Sequence, residues 1–452
     1  MTEQAKERSQ EEVMSGRKAT DMAQAVRPLR RAYYTRLREA HQRGEFVAWT
    51  MWLVPEEIFY AMDVLPSFAE NYGPVCAAKQ IGPYFCEIAE SDGFSMDICS
   101  YLRTNLGLAK RMRELGDFPE EAPYGGCGKP DMLIANAHHC DGRFKYLQQI
   151  GRYLDVPYFA YDVGDLPYGW NIENPAIRKH FIDHYYAQLK RLVAFIEKVT
   201  GKKLNKNRLS EALQNWMTVQ RLSSAQAELC KHIPNPLPAQ DAATIGFPNM
   251  HMKCWPETIE FYQKVYDEIK YRVDNNISNL SEEKYRLQWY LILPWYYIGI
   301  YNWLEQEFGA TTINPTYAGG GVVPPEEIID YDFPLESIAR KMYYGGGVGV
   351  GSHRDDAYGP KLARMASNLV ELKIDGIIGM TIASCRATSN LYDTWRRFQD
   401  GLKRAGVSIP TLTIEADMVD SRTYSDVLIK DKIRAFMETV DAAKGERQRG
   451  VA

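Results

Sequence analysis

The sequence predicts an α/β protein: two Rossmann/flavodoxin-like parallel-sheet lobes, with an N-terminal helix and a helical insertion between the lobes. Three observations predict it. Short apolar runs alternate with helical patterns between residues 46 and 163, the order of a β-α-β-α-β unit. The same alternation returns between residues 286 and 443. Residues 175–280 between them read as almost entirely helical, broken at the proline-rich stretch 233–238 and at Pro248.

Residues 1–45 form a charged leader and a helix over 20–44, stopped at Gly44. The first α/β domain is expected over 46–185. Its buried strands are FVAWTMWLV, DMLIAN and VPYFAYDV, with a helix-like stretch at 75–91, a helix opening at Cys99 and another at 143–154. The helical insertion covers 186–280. The second α/β domain covers 281–452, with strands at 286–293, 310–314, 375–382 and 411–417. Helices at 295–308, 335–343, 360–372, 391–405 and 424–443 separate or follow them.

A chain of 452 residues suits two or three domains at roughly 100–200 residues each. Its 45% apolar and 25% charged residues are those of a soluble globular protein. A net charge of −4 supplies no field for nucleic acid. The most apolar stretch, 287–303, is interrupted by Pro294 and falls short of the roughly 20 residues of a membrane span. The charged N-terminus reads as no secretory signal, so the expected compartment is the cytoplasm and the eight cysteines are expected as thiols or metal ligands.

Three cysteines share a context. Cys99 (SMDICSYLR) stands where a helix begins; Cys140 (ANAHHCDGR) and Cys385 (TIASCRATS) follow strands. Strand ends and helix starts are where α/β folds build sites, and a helix N-terminus favours the thiolate that iron–sulfur clusters require. Three ligands on one cubane leave one iron open to substrate or water, as catalytic metal sites do. Three buried thiols at strand ends would give the same pattern, and no compact ferredoxin-type spacing is present.

The words DICSYLRTNLG, PDMLIANAHHCDGRFKYLQ before VPYF, and a late SC after a strand resemble the 2-hydroxyacyl-CoA dehydratase and benzoyl-CoA reductase family, over roughly residues 45–445. That resemblance implies a [4Fe–4S] cluster held by Cys99, Cys140 and Cys385, and a heterodimer with a homologous cluster-binding subunit. It also implies a separate ATP-hydrolysing activator with its own cluster, ferredoxin as electron source, and a CoA thioester substrate. The length and the stretch NYGPVCAAKQIG look like the larger, electron-accepting subunit type among the benzoyl-CoA reductases. Some relatives hold a double-cubane cluster, for which Cys76 and Cys127 could supply ligands; the alternative is a helix thiol and a loop thiol. Cys86, Cys230 and Cys254 read as core.

His138 and His139 flank Cys140 and could donate protons, or serve as outer hydrogen-bond partners. The loop YYGGGVGVGSHR lacks a Walker ending, so no ATP site is expected on this chain. Its Gly347 and Gly349 N–H groups, with Arg354, could touch CoA phosphates; YAGGG at 317–321 is a similar candidate, and both could be plain connections. Glu415 and Asp417 end a strand, so they could orient the site or cap the next helix, capping being the plainer reading.

Overall fold

The computed structural model describes residues 16–136, 140–163, 174–313, 323–344, 366–385, 399–404 and 406–449. Two four-stranded sheets, parallel at every pairing, carry the fold. The first contains β1 (Phe46–Thr50), β2 (Val64–Phe68), β3 (Met132–Asn136) and β4 (Tyr158–Tyr161), in the order β2-β1-β3-β4. The second contains β5 (Tyr285–Tyr290), β6 (Ala310–Thr312), β7 (Gly376–Thr381) and β8 (Thr411–Glu415), in the order β6-β5-β7-β8. Within its own lobe each sheet therefore runs second-first-third-fourth, the flavodoxin-like order. The expected class, α/β with two parallel-sheet lobes, is what the chain adopts. In this order the ligand crevice opens off the C-terminal ends of the first and third strands.

The central strands MLIAN and GIIGMT are buried at every residue, which is why they read as unbroken apolar runs and not as alternation. Helices α1 (Asp21–Glu39), α2 (Glu56–Ala61), α3 (Ala69–Ala78), α4 (Gly82–Ser91), α5 (Ser100–Leu115) and α6 (Gly142–Leu154) belong to the first half. Then come α7 (Pro175–Thr200), α8 (Lys206–Leu229), α9 (Ala239–His251) and α10 (Pro256–Asp274). The second half adds α11 (Ile300–Phe308), α12 (Pro334–Tyr344) and α13 (Asp426–Gln448). Local chemistry sets their ends. The Thr20 hydroxyl caps α1, and Asn174 caps α7 ahead of Pro175 at its first turn. Gly201, left-handed at φ 71°, closes α7.

The structure differs from expectation in places. β2 was not expected: its sequence VLPSF carries Pro66, which a sheet accepts only at an edge, and β2 is an edge strand. The single helical stretch expected at 75–91 is two helices, α3 and α4, parted at Gln80 with φ 58°. Helix α7 runs unbroken through residue 185, so the boundary expected there falls inside an element. Of the helices expected at 360–372 and 391–405, residues 366–371 and 399–404 are described, and both are helical.

The halves meet along a polar seam. Arg103 of α5 is buried and donates to the Ile98 carbonyl (2.8 Å), Glu90 (2.5 Å) and Asp420 (2.9 Å). Arg422 reaches back to Asp420 and Glu90 at 2.6 and 2.7 Å. Gln80 donates to the Tyr296 carbonyl, and Trp295 Nε1 to Tyr101 Oη. A side chain at Gly82 would meet the Val419 carbonyl oxygen at 2.7 Å, so the backbones approach too closely there for any other residue.

Candidate metal centre

Cys99 is the N-cap of α5, with φ −42° and ψ 129°. Its carbonyl accepts the N–H groups of Leu102 and Arg103 at 2.9 and 3.0 Å. Cys140 stands four residues past the end of β3, and Cys385 four residues past the end of β7. Each is thus carried off the third strand of its own sheet, at equivalent places in the two lobes. These are the crevice ends that the strand order selects.

The three thiols lie within reach of one another's charge. Burial pushes Cys99 well above the usual thiol range, and Cys385, Asp417 and Cys140 push it further; the Tyr101 N–H at the helix start opposes them. Burial pushes Cys140 up to about 11, with Arg143 opposing and Cys385 adding. The structure therefore brings together residues 41 and 245 positions apart along the chain. Arg143 is itself committed: its Nε and a terminal nitrogen grip Glu70 at 2.8 and 2.5 Å. That pair ties the start of α6, behind Cys140, to the start of α3, and α3 packs on α5. Beside the thiols, Tyr146 Oη and Ser100 Oγ are buried with no hydrogen-bond partner among the described residues.

Cys76 and Cys127 go elsewhere. They sit fully buried with Tyr34 and Tyr72; burial and then Cys127 push Cys76 well above the thiol range, and burial pushes Cys127 to about 12. Cys127 precedes β3 and Cys140 follows it, so about 16 Å of strand separates their ends. Cys86 faces the Ser100 carbonyl and the Thr104 hydroxyl, and Cys230 and Cys254 are buried in the core. His138, His139, Gly347, Gly349, Arg354 and the 317–321 loop lie outside the described residues. Asp417 does not cap the next helix, which Ser425 caps; its Oδ1 accepts the N–H groups of Val419 and Asp420 at 2.8 and 2.9 Å in the turn after β8, and Oδ2 accepts the Ser384 hydroxyl. That places its charge beside Cys99 as well.

Sequence reasoning missed a buried charge cluster near the C-terminal edge of the first sheet. Glu57 pairs with Lys341, whose ammonium stands 3.7 Å from the Trp216 ring centre; Lys253 approaches the same ring at 4.9 Å. Burial pushes Glu56 up to about 7, against the pull of Lys253. The two glutamates open a helix after a strand, which is the signal that could have found them. Among the described residues, no three His, Cys, Asp or Glu side chains close up tightly enough to hold a single metal ion. A surface cavity of about 560 Å³ runs along the outer edge of β8, lined by Leu402, Pro410, Thr411 and Phe436 among others, and touches none of the three thiols.

Comparison with known proteins adds an independent finding. The family model described as 2-hydroxyglutaryl-CoA dehydratase, D-component, matches residues 51–440. The alpha subunit of (R)-2-hydroxyisocaproyl-CoA dehydratase from Clostridioides difficile is 26% identical, over 91% of this chain and 94% of its own length. One subunit of the benzoyl-CoA reductase from Thauera aromatica is 25% identical, over 90% and 92%. The alpha subunit of (R)-2-hydroxyglutaryl-CoA dehydratase from Acidaminococcus fermentans is 21% identical, over 93% and 97%.

Proposed function

The chain belongs to the family described as 2-hydroxyglutaryl-CoA dehydratase, D-component, and from that premise we propose that it is the cluster-bearing subunit of an enzyme complex that passes single low-potential electrons into a CoA thioester. In this reading Cys99, Cys140 and Cys385 hold a [4Fe–4S] cluster, with one iron left without a protein ligand. The observation that carries it is the meeting of three thiols drawn from both lobes. Crowded thiols that burial and mutual repulsion keep protonated suit a soft, positively charged centre that would convert them to thiolates. A single zinc-sized ion draws its sulfur donors to about 2.3 Å. A cubane takes one thiolate per iron corner, so its donors stand further apart.

The cluster, when bound, supplies one-electron transfer at low potential. The chain's own residues do the rest. The first N–H groups of α5 and α6 face Cys99 and Cys140 and stabilise negative sulfur. The Arg143–Glu70 pair fixes the approach of Cys140. The Arg103–Asp420 pair of the seam is shut away from water, which strengthens the charge interaction joining the halves.

For the substrate, the reductive reading is benzoyl-CoA, its ring taking two electrons and two protons to a cyclic dienoyl-CoA. The stretch NYGPVCAAKQIG and the similarity to the Thauera protein favour it. Dehydration of a 2-hydroxyacyl-CoA is the second reading, favoured by the family's description and by the two dehydratase relatives. Either way the sequence carries no Walker motif. The energised electron would then come from a separate ATP-hydrolysing activator fed by ferredoxin, and a homologous subunit would complete the site.

The test is iron and acid-labile sulfide per chain in complex purified without oxygen. Serine at 99, 140 or 385 should remove most of both, and serine at 76 or 127 should leave them in place. Wild-type complex without iron would end the cluster reading. With the activator added, product analysis on benzoyl-CoA against a 2-hydroxyacyl-CoA separates the two substrates; untouched benzoyl-CoA rejects the reductase reading.

A further inference from the structure

Helix α6 begins immediately after Cys140 and carries Tyr146 on its second turn. The Tyr146 side chain is 4% exposed, its neighbour Leu147 is fully buried, and its hydroxyl has no hydrogen-bond partner among the described residues. Native proteins leave few buried hydroxyls in that state, and one beside a crevice points to a group that arrives there.

The surroundings say which group. The titratable groups that act electrostatically on the Tyr146 oxygen are Glu70, Arg143, Cys99 and Cys140. Arg143 has no acceptor to offer. The Glu70 oxygens accept from Arg143 and from the Trp52 N–H, and neither takes the phenol. Among these described neighbours, sulfur is what remains. An ordinary phenol keeps its proton at neutral pH, so toward a negative sulfur the Tyr146 hydroxyl donates.

We propose that the Tyr146 hydroxyl donates a hydrogen bond to the sulfur of the centre at Cys99 and Cys140, and so sets its reduction potential. The inference rests on the cluster reading above. Sulfur on a reduced cluster carries more negative charge, so the bond is stronger in the reduced state and raises the potential. Ser100 Oγ, also buried and without a partner among the described residues, follows Cys99 directly at the start of α5.

The experiment is a redox titration of the anaerobic complex followed by electron paramagnetic resonance, with iron and sulfide measured on the same samples. Tyr146→Phe removes one oxygen atom and no hydrogen bond among the described residues, so it should fold and keep its iron. At a fixed ambient potential its reduced-to-oxidised ratio should fall about tenfold, which is 59 mV for a one-electron couple. Placing 3-fluorotyrosine at 146, a stronger donor of nearly the same shape, should shift the potential the other way. A full complement of iron with an unmoved midpoint in both proteins overturns the proposal. Wild-type complex without iron instead sinks the cluster reading, and the two failures are told apart by the metal analysis.

Discussion

At position 251 a histidine is held where it cannot take a proton. It stacks on Phe247 at 4.2 Å, meets Tyr33 edge-on at 5.5 Å and shares a 2.9 Å hydrogen bond with the Phe247 carbonyl. Burial drives its pKa down to about 3. Its folded value lies below its unfolded one, so on acidification the unfolded chain binds the proton first. The stability it protects is complete above about pH 6.5 and is lost as pH falls toward 3, at about 1.4 kcal/mol per unit. Between pH 6.5 and 5 the chain should lose about 2 kcal/mol on this account. His251→Phe should flatten the difference in urea midpoint between pH 7 and pH 5 by that amount; an unaltered pH dependence would show the imidazole already protonated in the fold. At this scale the sequence was legible where a residue's own neighbours carry the information. Cys99, Cys140 and Cys385 each sit in a local strand-end or helix-start context. Tyr146 was not legible, because on α6 it shares the apolar face of Leu147 and Ile150 and reads as core. Nor was the Glu70–Arg143 pair, whose members stand 73 residues apart.

Among the elements, α4 and α5 pack so closely that a Cβ on Gly107 would stand 1.9 Å from the Phe85 carbonyl oxygen. No side-chain adjustment relieves a clash with backbone, so Gly107→Ala must part the two helices. The expected loss is about 3 kcal/mol, at the upper end for overpacking, read as a lowered Tm; an unchanged Tm would mean the helices are not in register as described. Because Cys99 is the N-cap of α5, the displacement should reach its sulfur too. Most strands were legible as continuous apolar runs, since both faces of a parallel sheet are covered. β2 was hidden by Pro66, and the break between α3 and α4 by the absence of any glycine at Gln80, which takes φ 58° without one.

For the molecule as a whole, the matching strand orders of the two sheets were invisible. No internal repeat marks them, because topology constrains where strands lie and not which apolar residues fill them. The seam was equally hidden, since Arg103 and Asp420 are 317 residues apart. Arg103→Met should leave Asp420, which has 0% exposure, with Arg422 as its remaining cation. Breaking a buried pair costs roughly 3–5 kcal/mol; with Arg422 still in place the loss should be about 3 kcal/mol. Urea unfolding measures it, and a midpoint equal to wild type would show the seam to be solvated. The seam also governs persistence. Thiols contributed by opposite halves can grip a common guest only while those halves stay shut. Parting of the halves would then release that guest, and the rate at which a chelator strips it would report in part how often the chain breathes.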